Sequence, residues 1–167
     1  MTQNVFCQLA KQHFGYLVTE YKFLLVEEMG DPAAEGDGFL EYRSSDVFVD
    51  ISSDRGQVTV DLGPYPKQPH SKYELGTMLW YLAGDRFSSR DLMQQSYTQT
   101  PDRPPDMSHE EYADLQLAGL ASRLKQRCQT VLEGKFSEWS ELARIVKEVI
   151  AAYYKNKTGL DYPEDAA

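Results

Sequence analysis

The chain has 167 residues, of which 41% are hydrophobic and 12% aromatic, and a formal net charge of -9. That length holds one good core rather than two, no apolar run approaches the roughly 20 residues that span a bilayer, and the mixture of apolar and charged residues is that of a folded protein. We therefore expect a single domain over 1–160, a flexible tail over 161–167 and no membrane contact. The start MTQNVFCQLAKQHF lacks the unbroken apolar centre of a signal peptide, so a cytoplasmic location is expected.

The charge is uneven. From Glu20 to Asp61 eleven acids stand against three bases, a balance of -8, while the rest of the chain is close to neutral. A field of that sign repels phosphate backbones, which argues against direct nucleic-acid binding, and it favours encounter with a basic partner.

In chain order, Phe6, Leu9, Ala10, His13, Phe14, Leu17 and Val18 recur every three or four positions, which predicts a helix over 3–20 with Gly15 as its weak point. KFLLVEE suits a strand, GDPAAEGDG a loop, and FLEYRSS a second strand. Its alternation leaves two registers open, one burying Phe39 and the other burying Leu40 with Tyr42.

The stretch VFVDISSDRGQVTVDLG alternates with period two. Val47, Val49, Ile51, Val58, Val60 and Leu62 share one face, while Phe48, Asp50, Thr59 and Asp61 share the other. With a turn inside 53–56, Val49 is expected opposite Val60, Ile51 opposite Val58 and Asp50 opposite Thr59, with the acids on a face left to water.

Helical signals dominate the remainder. Ser71 and Glu74 have capping-box spacing before Leu75, Met78, Leu79 and Leu82, with Gly84 to end the helix. Ser108 and Glu111 open a longer helix whose inward residues run from Ala113 through Leu117, Leu120 and Leu124 to Leu132, with Gly134 as its stop. Ser137 is the expected cap of a last helix striped by Leu142, Ile145, Val146, Val149, Ile150 and Tyr153, ending at Gly159. Between them, 85–107 carries Pro101, Pro104 and Pro105 and reads as a long loop with at most a short helix near 90–95. The fold class is α+β: an N-terminal helix, an antiparallel meander of about four strands, then three C-terminal helices packed on one face.

Chemistry is sparse. Cys7 and Cys128 are the only cysteines, lack CxxC spacing and fall on apolar helix faces, so they read as buried, reduced hydrophobes. His13, His70 and His109 belong to no nucleophile or zinc pattern, and no phosphate-binding glycine motif occurs. Asp31, Glu35 and Asp37 lie among glycines but lack the donor register of a calcium loop. No catalytic residue, metal or cofactor is assigned, and the reading leans away from an enzyme.

Phe14, Leu17, Glu20, Tyr21 and Phe23 form an F-x-x-L-x-x-E-Y-x-F run, followed by Gly56, Val58, Val60 and Gly63 in the valine-rich hairpin. Over about the first 85 residues this resembles a set of small bacterial α+β proteins to which no function is attached. Lys22 departs from the glycine usual before the last Phe of that motif, which bears on the turn into the first strand. The resemblance implies a fold and no reaction.

The favoured functional reading is a protein-binding module with an acidic surface, in the manner of immunity proteins that neutralise nuclease toxins. Its expected contact residues are Glu27, Glu28, Glu35, Asp37, Glu41, Phe48, Asp50 and Asp61. One alternative is a small-molecule-binding protein or enzyme with a sheet-helix pocket lidded by 85–107, where Arg86, Arg90 or Arg103 would hold an anionic group. The other is an oligomeric scaffold in which the last helix, extended by Trp139, Tyr153 and Tyr154, pairs with a copy of itself.

Overall fold

The computed structural model describes residues 4–30, 37–84 and 102–163. Helix α1 (Val5–Phe14) begins where the Asn4 side chain accepts a hydrogen bond from the Cys7 amide, and it stops at Gly15. A single turn, α2 (Tyr16–Thr19), follows at once, so the helix expected over 3–20 is two pieces. Five strands then form one antiparallel meander: β1 (Leu24–Met29), β2 (Gly38–Arg43), β3 (Val47–Asp54), β4 (Gln57–Pro64) and the two-residue β5 (Tyr73–Glu74). The fold class is thus α+β as expected, with one more strand than anticipated.

The β3–β4 hairpin turns through Arg55 and Gly56, whose φ angles of 50 and 80 are those of a two-residue type I′ turn. Placing the turn there moves the pairing by two residues from the expected register. Val49 pairs with Leu62, Ile51 with Val60, Ser52 with Thr59, and Asp50 with Asp61. In β2 it is Leu40 and Tyr42 that enter the core, opposite Ile51 and Val49.

The Ser71–Glu74 box does not form. Tyr73 and Glu74 are extended because they pair with Leu62 and Asp61, and the Ser71 hydroxyl donates instead to the Gln68 carbonyl at 2.6 Å. Helix α3 (Leu75–Ala83) consequently starts without a side-chain cap and ends at Gly84 in the left-handed conformation. Ser108 and Glu111 do make the reciprocal capping box of α4 (His109–Arg127). The chain then breaks at Cys128 before the short α5 (Gln129–Leu132) and α6 (Trp139–Thr158), for which Glu138, rather than Ser137, holds the cap position.

Helices α1 and α4 lie against the valine face. The core runs through Phe6, Phe14, Leu40, Val49, Ile51, Val60, Leu117, Leu120 and Leu124, all essentially inaccessible to water, each such side chain contributing about 1.5–3 kcal/mol by leaving water. Buried Gln116 ties α4 to the hairpin tip, accepting from the Val58 amide at 3.2 Å and donating to the Gly56 carbonyl at 2.9 Å. His13 meets Asp114 at 2.6 Å, which joins α1 to α4. Cys7 and Cys128 are buried free thiols, and burial pushes Cys128 up to about 12. Among the described residues no helix is long and apolar enough to cross a membrane.

Candidate functional site

The sheet face away from α1 and α4 carries an unusual row. Because Asp50 pairs with Asp61, and these with Glu41 and Glu74 in the flanking strands, four carboxylate residues stand side by side from β2 to β5. A bulge between Leu25 and Glu27 turns Glu27 into line with Glu41, making Glu27 the fifth member at the β1 edge. Like charges directly across a ladder repel, so the row stands only with compensation.

The connection 65–72 supplies it. Lys67 Nζ donates to Glu41 Oε2 at 2.8 Å and reaches both Asp50 oxygens at 3.2 and 3.3 Å. Lys72 Nζ lies 3.5 Å from Asp50 Oδ2 and 3.2 Å from Asp61 Oδ2, and Arg43 donates to Glu41 from within β2. Lys67 also sits over the Phe48 ring, 4.4 Å from its centre, as a cation on a π face. The backbone can cross this close because position 63 is glycine: a Cβ there would lie 2.0 Å from the Ser71 carbonyl oxygen and 2.7 Å from the Phe48 ring.

This geometry corrects the expectation of a wet face. Glu41 and Asp50 are each only 3% exposed and Phe48 is 1% exposed, covered by the 65–72 connection rather than by water, while Asp61 is half-buried. Burial drives the Asp50 and Asp61 carboxyls above their ordinary values, and the lysines only partly offset it. At Glu41 burial acts in the same direction, but the bonds from Lys67 and Arg43 outweigh it and hold that carboxyl below its usual value. Lys72 is raised despite its burial, by Asp61 and Asp50.

Of the other expected contact residues, Glu27 is exposed on the outer face with no ion pair to any described residue. Glu28 points to the helix side, where it pairs with Lys11 at 2.8 Å. Asp37 is engaged structurally, its carboxylate accepting from the Arg55 amide at 2.9 Å and its carbonyl from Asn4 at 2.8 Å. Glu35 lies outside the described residues, as do Asp31, Arg86, Arg90 and the segment 85–101. Arg103 folds back to donate to the Met107 carbonyl.

The row therefore unites Glu27, Glu41, Asp50 and Asp61 beside Phe48 and leaves Glu28 and Asp37 elsewhere. Sequence reasoning missed Arg43, Lys67, Lys72 and Glu74. The available signal was YPKQPHSK, a base-bearing, proline-held connection directly after the acidic hairpin.

Strand β1 completes the site. Among the described residues only β2 pairs with it, and Leu24, Val26 and Met29 are 68%, 44% and 54% exposed. By strand pairing, Leu24 lies in the row of Arg43 and Phe48, and Met29 in the row of Phe39, Ser52 and Thr59. Among the described residues no group of three or more His, Cys, Asp or Glu side chains is placed to hold a metal ion. Comparison with protein-family models, with curated proteins and with solved structures finds no match.

Proposed function

We propose that this protein is a non-enzymatic protein-binding module whose β1 edge, with the exposed acid Glu27 on it, receives a basic protein partner. The observation that carries this reading is the contrast within the carboxylate row. Its inner acids are matched by Lys67, Lys72 and Arg43, whereas Glu27 stands exposed on the strand that also exposes Leu24, Val26 and Met29. An open strand edge offers backbone donors and acceptors to an added strand, and the side chains beside it set the choice. Here they favour a segment that alternates basic and apolar residues, while a second acidic copy of the strand would meet like charge. An immunity-type role toward a basic toxin is one form of this reading.

A titration of isotope-labelled protein with a short lysine-valine alternating peptide tests it through amide shifts. The expected result is a set of shifts concentrated over Leu24–Met29 that weakens with added salt and is lost in Glu27→Lys. Shifts clustered away from β1, or unchanged in that variant, would contradict it.

A further inference from the structure

A groove separate from the carboxylate row is lined in part by Lys72. The 69–73 segment and α6 flank this open-sided groove of about 440 Å³, within the roughly 300–1,000 Å³ typical of small-molecule sites. Its body is apolar: Ala143, Val146 and Ile150 recur at spacings of three and four along α6, facing Tyr73, and Tyr162 also lines it. Two ring contacts fix its walls. Tyr73 stacks on Trp139 at 6.0 Å, which holds the start of α6 to β5, and Tyr162 packs edge-on against Tyr154 at 5.4 Å.

The rim is basic. Lys147, His70 and Lys72 line the groove, and among the described residues none that lines it is acidic, in a chain whose net charge is -9. Lys72 is committed to Asp61 and Asp50. Lys147 is exposed and makes no ion pair with a described residue. His70 is held at φ 59, a left-handed conformation that non-glycine residues seldom adopt. An apolar body beside the Lys147 ammonium, with the His70 ring at the same rim as a hydrogen-bonding group, matches a ligand that is apolar at one end and anionic at the other.

We infer that the groove between α6 and residues 69–73 binds a small amphiphilic carboxylate, its hydrocarbon or aromatic body against Val146, Ile150 and Tyr73 and its head group at Lys147 and His70. This site is separate from the β1 edge, and either can fail without the other.

Calorimetric titration with decanoate below its micelle concentration, with decyltrimethylammonium as the matched cation, tests the inference. Decanoate is expected to saturate a single site, with the cation at least tenfold weaker. Lys147→Glu, an exposed change, is expected to weaken decanoate at least tenfold, and Ile150→Trp is expected to fill the groove and abolish binding, with circular dichroism unchanged in both. Failure of decanoate to saturate, equal affinity for the cation, or wild-type binding in either variant would overturn it.

Discussion

Glu41 and Asp50 share one lysine and are equally hidden from water, yet they answer burial in opposite directions. Two cations bond Glu41, so its charged form is favoured. Asp50 shares Lys67 and Lys72 with its neighbours, and desolvation prevails. The linkage signs follow. Glu41 contributes stability above its ordinary value of 4.5 that is lost as pH falls through its depressed one. Asp50 contributes stability below its ordinary value of 3.8 that is lost as pH rises through its elevated one. Glu41→Gln should therefore cost about 1–3 kcal/mol at neutral pH, a deficit that fades in acid. Asp50→Asn should be neutral or stabilising by up to about 1 kcal/mol at neutral pH, since it removes a desolvated charge and leaves both lysines other partners, with no advantage below about pH 3.8. Denaturant melts of the two variants across pH 3 to 7 check the opposed slopes; parallel slopes would contradict the assignment. The side-chain alternation behind this row was legible in the sequence, because a period of two needs only local order. Lys67 was not, because its partners lie 26 and 17 residues away and only the folded path of 65–72 brings it over the sheet.

At the level of elements, the carboxylate row depends on how the chain passes from β4 to β5. The 65–72 connection lies flat on the outer face only because Gly63 leaves room for the Ser71 backbone and the Phe48 ring. Gly63→Ala should lift that connection, loosen both lysines and cost about 1–3 kcal/mol, with faster hydrogen exchange over β5 than over the β2–β3 ladder; uniform loss across the sheet would argue for a purely global effect. The two registers compared above show where local reading stops. Strand existence and the identity of the buried valines followed from alternation, but a one-residue difference in turn position, which shifts the pairing by two, decided whether Asp50 met a threonine or another aspartate. The same holds for Ser71. Its spacing to Glu74 is that of a cap, and the pairing of Tyr73 with Leu62, a tertiary contact, overrode it. Ser108 met no such competitor and capped its helix.

On the scale of the whole molecule, the -8 balance over Glu20–Asp61 overstates the charge left for a partner. Four bases from outside that span reduce it: Lys125 pairs with Glu20, Lys11 with Glu28, and Lys67 and Lys72 with the inner row. Composition showed the sign of the field but not its face, because the compensating bases come from α1, the 65–72 connection and α4. Among the described residues, Glu27 stands without an ion pair beside the exposed apolar side chains of an edge strand, a patch suited to selective rather than diffuse attraction. The most direct test is to offer extracts of the source cell to immobilised protein at low and at high salt, with wild type beside a Val26→Lys, Glu27→Lys double variant. A basic protein is expected to be held by wild type at low salt, released at high salt and not held by the variant. Retention of no basic protein by wild type, or equal retention by the variant, would contradict it.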